Sequence, residues 1–433
     1  MEESREKKYA YWLGNIPGVG DKTIRYLLSV EQSPEVIYRD FTDKSLKAEE
    51  HLSQKYGYVQ PKQSCGQKTG DSCEQAEDGR QAVGISEKSF RKILQKMRDH
   101  ALTWQPEAEY ESLKQRGIRF LTVFEEAYPW RLKMIPDPPY GLYAKGKLPQ
   151  EKLLSVAVIG ARECSEYGRY VGTELGKALG ANGVQVISGM ARGIDGISQR
   201  AALEAGGASF GVLGCGVDVC YPAQNQALYD RLLVQGGILS ANPPGTLPKP
   251  ALFPPRNRIV SGLSDVVIVV EARQQSGTLI TVDMALEQGR EVYVVPGRVT
   301  DRLSDGCNKL MKQGAGILLS PEAFLQEMKE SFPDLFCRKA GSGAVRNEQA
   351  IPEGEGVGKN EQEPTEDARV GASEHWESRI YNLLDLTPIS MEQISQATGS
   401  ELSYAKLQQI LMRLCLEGKI KQASPGFYSK EKP

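Results

Sequence analysis

Ser155-Val156-Ala157-Val158-Ile159-Gly160-Ala161-Arg162-Glu163-Cys164-Ser165 is the stretch that decides the fold. A short apolar run ends in a glycine turn, and a helical pattern follows with Tyr167, Val171, Leu175 and Ala178 on one face. The same unit recurs downstream. Val184-Gln185-Val186-Ile187, Phe210-Gly211-Val212-Leu213, Val266-Val267-Ile268-Val269-Val270 and Val292-Tyr293-Val294-Val295 are further runs, with helix-like segments between them. Most are nearly continuous in apolar character, as strands buried on both faces should be. The pattern predicts an α/β fold, a parallel doubly wound sheet whose ligand sits at the carboxyl ends of the strands.

Composition narrows the classes. With 433 residues the chain exceeds one compact core, so two to four domains are expected. Hydrophobic residues at 40% and charged residues at 25% are ordinary for a soluble globular protein. The net charge of −2 means that any nucleic-acid binding must come from a local patch. The charged N-terminus, Met1-Glu2-Glu3-Ser4-Arg5-Glu6-Lys7-Lys8, lacks the apolar stretch of a signal peptide, and no run reaches membrane-spanning length. The eight cysteines contain no C-x-x-C pair, and His51, His100 and His375 are the only histidines. A cytoplasmic location is expected, with no membrane contact, disulfide framework, metal site or cofactor.

Two biased stretches divide the chain. Residues 61–82 contain no large apolar side chain and read as a disordered insertion within a helical segment spanning 1–104. Gly341 to Glu374 has no aromatic residue, three basic and eight acidic side chains, and reads as an acidic flexible linker, bounded here at 337–374. The main core then spans 105–336, and a small globular unit spans 375–433. Near the N-terminus, Ile16-Pro17-Gly18-Val19-Gly20-Asp21-Lys22-Thr23 precedes the helical spacing of Ile24, Leu27 and Leu28. It fits equally a helix-hairpin-helix that offers backbone N–H groups to DNA phosphate and a plain structural hairpin.

The strand-end turns suit anions. Gly160-Ala161-Arg162 places a forked cation beside a helix whose N-cap is Ser165. G-x-G-x-x-G is absent here, so this is not the dinucleotide fingerprint. Ser188-Gly189-Met190-Ala191-Arg192-Gly193-Ile194-Asp195 repeats glycines and a serine at the next strand-to-helix junction, with Asp195 as a cap or orienting group. Ser276-Gly277-Thr278 supplies hydroxyls at another helix start. Phe253-Pro254-Pro255-Arg256-Asn257-Arg258 reads as an extended loop stiffened by prolines, in which an aromatic face and two guanidinium groups suit single-stranded nucleic acid. The competing reading packs Phe253 into the core and pairs the arginines with acids. No nucleophile–base pair and no G-x-x-x-x-G-K-[ST] sequence is present.

In this order the motifs resemble the DNA-processing protein A (DprA/Smf) family of recombination mediators in bacterial transformation. The resemblance rests on Gly160-Ala161-Arg162, Ser188 to Asp195, Tyr221-Pro222, Phe253 to Gly262, Glu271-Ala272, Ser276 to Thr281 and Pro296-Gly297, with Tyr128-Pro129 and Leu142 to Gly146 upstream. It covers roughly residues 105 to 320. It implies an extended Rossmann-like core, not an enzyme, that binds and protects incoming single-stranded DNA, dimerises, and loads the RecA recombinase. Carried onto this sequence, the strand contacts are Gly160, Arg162, Ser188, Gly189, Arg192, Gly193, Phe253, Arg256, Asn257, Arg258, Ser276, Gly277 and Thr278. The dimer surface is expected at Leu310 and Met311. Two positions depart from the family pattern: Gln199 replaces a usual histidine, and Ser240-Ala241-Asn242 replaces S-E-x.

The unit at 375–433 is similar to the winged-helix domain of many members. Ile380, Leu383 and Leu384 open a helix, Ile389, Met391 and Ile394 a second, and Leu407, Ile410, Leu411 and Leu414 a third, before a β-hairpin wing. With Gln408, Gln409 and Arg413 as its polar candidates, contact with DNA or with protein is equally expected. The alternative for the whole chain is a nucleotide-binding enzyme of the phosphoribohydrolase (lysine decarboxylase-like) type, marked by G-G-x-G-T-x-x-E. Ser276 to Thr281 lacks the paired glycines and the glutamate of that motif.

Overall fold

The computed structural model describes residues 2–43, 52, 55, 56, 87–336, 376–385, 388–398, 407, 410, 411, 413–415, 417–424 and 427–430. The expected insertion at 61–82 and linker at 337–374 lie outside these residues. Two compact units form, Met1–Arg338 and Lys339–Pro433.

The first unit opens with helices α1 (Glu2–Leu13), α2 (Asp21–Val30), α3 (Pro34–Thr42), α4 (Glu87–Thr103) and α5 (Pro106–Gln115). Strand β1 (Ile118–Thr122), the short helix α6 (Trp130–Lys133) and β2 (Gly141–Gly146) lead into β3 (Ser155–Ile159) and α7 (Glu166–Ala181). Then come β4 (Gln185–Ser188), α8 (Ile194–Glu204), β5 (Ser209–Val212), α9 (Gln226–Gln235) and β6 (Gly237–Ser240). The unit closes with α10 (Phe253–Gly262), β7 (Val266–Val269), α11 (Gly277–Glu287), β8 (Glu291–Val294), α12 (Asp305–Lys312), β9 (Gly316–Ile317) and α13 (Pro321–Ser331).

One sheet takes all nine strands, in the order β1-β2-β6-β5-β4-β3-β7-β8-β9. From β6 to β9 every pairing is parallel, while β2 joins β6 and β1 joins β2 antiparallel. Every residue of β3 and β7 is buried, because helices cover both faces and only continuous apolar runs satisfy such a strand. The chain leaves β3 toward β4, β5 and β6 on one side, then returns to place β7 on the other. The β3/β7 boundary is therefore the switch point at which a doubly wound sheet opens a crevice.

The N-terminal helices share a core with this sheet. Tyr11, Trp12, Leu27, Ile37 and Met97 pack in one cluster with Phe120, Tyr140, Tyr143 and Leu213. The Tyr11 and Phe120 rings lie 5.5 Å apart, and Phe120 and Tyr143 lie 5.0 Å apart.

In the second unit residues 376–383 are helical, followed by β10 (Ile389–Ser390), α14 (Met391–Thr398), β11 (Ile420–Ser424) and β12 (Phe427–Lys430). The strands form an antiparallel sheet in the order β10-β12-β11 over a core that includes Ile380, Leu384, Ile394, Leu411 and Leu414. Ile389, expected to open a helix, instead pairs with Tyr428 in the sheet.

Candidate functional site

A cavity of about 670 Å³ opens at the switch point. Its walls are the turn after β3 (Gly160, Ala161, Arg162), the turn after β4 (Gly189, Ala191, Asp195), the start of α10 (Phe253, Arg256, Asn257) and the start of α11 (Ser276, Gly277, Thr278). A smaller cavity beside it adds Arg192 and Gly214 and shares Arg162, Tyr221, Phe253 and Arg256.

The segment from Phe253 is helical, which corrects the reading of an extended loop. Its two prolines stand in the first turn, where a missing N–H costs nothing and a fixed φ suits the helix. The register separates the arginines. Two helical residues apart means about 200° of rotation, so Arg256 and Arg258 point to opposite sides. Arg256 and Asn257 line the cavity. Arg258 faces away, 3.6 Å from Asp137, in a separate cavity of about 400 Å³ with Gly18, Gly20, Lys22 and Thr23 of the N-terminal turn.

Arg256 is the deepest cation, only 6% exposed. Its Nη1 donates to the Val212 carbonyl at 2.8 Å, and its Nε has no partner. Gly189 makes room for it, since a Cβ there would overlap the guanidinium. Asp195 is buried nearby and accepts from the Gly189 N–H at 3.1 Å. Burial pushes its carboxyl above the usual range, with the Arg256 charge opposing that shift. Burial likewise lowers Arg256, and Asp195 opposes it. The pair thus leaves a desolvated cation facing the cavity. A buried donor without a partner is costly, and the Arg256 charge on the cavity wall would attract an incoming anion.

Aromatic rings border that cation. The guanidinium carbons of Arg162 and Arg256 lie 5.7 and 5.9 Å from the Phe253 ring centre, and the Tyr221 ring lies 5.7 Å away. Arg162 and Arg192 are exposed at the mouth. Opposite them, Ser276 caps α11 by accepting from the Thr278 N–H at 3.2 Å, and the Thr278 hydroxyl donates to the Gly160 carbonyl at 3.4 Å. Asp195 is the one carboxylate on the walls of either cavity, so no carboxylate pair for acid–base chemistry faces them.

Four of the expected residues have structural roles here, two from the strand contacts and two from the dimer surface. The Ser188 hydroxyl is fully buried and donates to the Val158 carbonyl at 2.7 Å, tying β4 to β3. Gly193 has φ of 73° and lies so close to the Ala161 carbonyl that any Cβ would overlap it. Leu310, 9% exposed, packs in the core beside Cys307, and Met311 is half-buried against the same cluster. Further along the chain, Ile317 and Leu319 reach solvent. Gln199 lies away from the cavity, donating to Ser209 Oγ and the Phe210 carbonyl at 3.2 and 3.0 Å.

Two residues not singled out for the site also shape it. Tyr221 supplies the second ring; the sequence signal for it was its place in the Tyr221-Pro222 motif of the family resemblance. Asn225 donates to the Met190 carbonyl at 2.9 Å, holding Met190 at a positive φ of 53° inside the β4–α8 turn.

A profile of the family described as DNA recombination-mediator protein A matches residues 119–329. DNA processing protein DprA of Bacillus subtilis is 41% identical over 218 residues, spanning 50% of this chain and 73% of that protein. The chain belongs to this family. DprA of Streptococcus pneumoniae is likewise 41% identical over 208 residues, covering 48% of this chain and 73% of its own length. The X-ray structure of the pneumococcal protein aligns with a TM-score of 0.56 at 30% identity, over 74% of this chain and 97% of that one. Family membership agrees with the motif reading, and the matched region contains every wall of the cavity.

Proposed function

We propose that the core binds single-stranded DNA at the switch-point cavity and acts as a recombination mediator without turning over a substrate. The observation that carries this reading is Arg256, a buried guanidinium with an unpartnered Nε, set between stacking rings and a capped helix start. A linkage phosphate would take the Arg256 and α11 donors, Arg162 and Arg192 would meet flanking phosphates, and a base would stack on Phe253 or Tyr221. None of these contacts reads base identity, so binding should be nearly independent of sequence.

Family membership supports a wider role as part of this proposal. The mediator would protect incoming strands in the cytoplasm during DNA uptake, act as a homodimer through the core at 105–336, and load RecA. The unit at 375–433 would be a winged helix joined by the linker at 337–374. Anisotropy titration of a labelled oligo-dT against duplex tests the central claim. With three cations engaged, log K should fall against log salt with a slope near roughly −2. Equal affinity for duplex, or a flat salt response, refutes it; faster RecA filament growth on coated strands tests the mediator role.

A further inference from the structure

In a doubly wound sheet the first helix after the central strand ordinarily receives a phosphate at its N-terminus. Here that helix is α7, and its N-terminus is not part of the cavity wall. A side chain of the protein already sits there. Glu271 follows β7, the strand paired with β3, and is 1% exposed. Its Oε2 accepts from the Ser165 N–H at 2.9 Å, and its Oε1 accepts from the Ser165 hydroxyl. The same hydroxyl caps α7 by accepting from the Gly168 N–H at 3.0 Å. Gly168 has no side chain for a reason: a Cβ would overlap the Glu271 carboxylate. Among the described residues no ion pair includes Glu271, and its carboxylate is held by the two Ser165 donors at the helix start.

We propose that Glu271 is a built-in anion that fills the phosphate seat of α7 and so sets the specificity of the cavity. It confines strand phosphates to the Arg256 and α11 side and rejects any ligand with two adjacent phosphates, such as a nucleoside diphosphate or inorganic pyrophosphate. A second phosphate placed toward α7 would meet a carboxylate instead of free N–H groups. A single-stranded backbone, whose phosphates are separated by sugars, has no need of that seat. This specificity argument rests on the proposed strand-binding role, but the carboxylate's effect on small anions can be measured without any DNA.

The test uses the full chain and Glu271→Gln, which keeps the shape and an acceptor for the Ser165 N–H, turns the hydroxyl contact into an amide N–H donating to Ser165 Oγ, and removes the charge. Isothermal titration with pyrophosphate at matched ionic strength should show binding by the variant that is at least about tenfold tighter than the weakest affinity the titration can detect, and none above that limit by the wild type. Oligo-dT affinity should be unchanged or raised in Glu271→Gln. A purely structural Glu271 would instead lower it and leave pyrophosphate unbound. Equal pyrophosphate affinity in the two proteins refutes the proposal. If Glu271→Gln does not fold, Glu271→Ala takes its place in the same comparison, and low-micromolar binding of pyrophosphate to the wild type refutes the proposal whichever variant is used. Failure of wild-type oligo-dT binding would sink the strand-binding reading but leave the pyrophosphate comparison standing.

Discussion

Replacing Arg256 and Arg258 one at a time asks whether helix register governs the interface. A reading that puts both arginines in one loop makes them equivalent. The structure makes them opposite: Arg256 is buried with Nη1 fixed to Val212 and Nε free, while Arg258 is half-buried beside Asp137 in another cavity. Removing a desolvated, hydrogen-bonding charge from an interface costs about 2–5 kcal/mol. Taking about 3 kcal/mol, Arg256→Ala should weaken oligo-dT binding about 150-fold. It should also make the salt slope shallower by roughly 0.7. Arg258→Ala removes a partly exposed charge on the far face, and its effect should stay within about threefold. Arg256→Ala loses the hydrogen bond to Val212 and leaves the buried Asp195 without its neighbouring charge, at a combined cost of about 3–5 kcal/mol, so melting curves must show the variant folded at the assay temperature. Anisotropy titrations at three salt concentrations, with melting curves as a control, measure all of this. Equal losses for the two variants, or wild-type affinity in Arg256→Ala, would show that the cavity is not the strand site.

Further outcomes follow from the same geometry. Gly189→Ala should mimic Arg256→Ala in the binding assay, because its methyl group claims the space of the guanidinium; unchanged affinity counts against the packing argument. Protonating Asp195 removes the negative charge opposing Arg256, so oligo-dT affinity should rise as pH falls from 7 toward the raised pKa of that carboxyl, and Asp195→Asn should flatten the profile. A wild-type profile as flat as the variant's would contradict it. Leu310→Glu should destabilise the unit by about 3 kcal/mol or more in chemical denaturation, since it buries a charge. Leu319→Glu, at a site 81% exposed, should leave stability within about 0.5 kcal/mol and is the cleaner probe of dimerisation by light scattering.

The strands that matter most were legible because burial on both faces demands uninterrupted apolar runs. Val156–Ile159 and Val266–Val270 announce β3 and β7, and the turn glycines between strand and helix mark the cavity rim. The antiparallel edge was not legible. β6 holds only Ile238 and Leu239 as large apolar residues, and its pairing with β2 depends on contacts distant in sequence. The Pro254-Pro255 pair misled because the same fixed φ serves an extended loop and a first helical turn; only the following Ile259-Val260 face, buried against the sheet, decides between them. Ser188 shows a similar ambiguity. A hydroxyl at a strand end serves a ligand or a neighbouring strand equally well by residue type, and in the folded chain that of Ser188 is buried and bonded to Val158.

The aromatic seam between the N-terminal helices and the sheet makes the two a single cooperative folding unit. A chain shortened to begin at Gln105 would lay bare the rings of Phe120, Tyr140 and Tyr143, each burying roughly 150–250 Å². That area matches the largest sticky patches tolerated on monomers, so the shortened chain should aggregate where the full one stays dispersed. The helices therefore act as a permanent cover for one edge of the sheet. Heating should melt cover and sheet in one transition, with no separate early step for the helices.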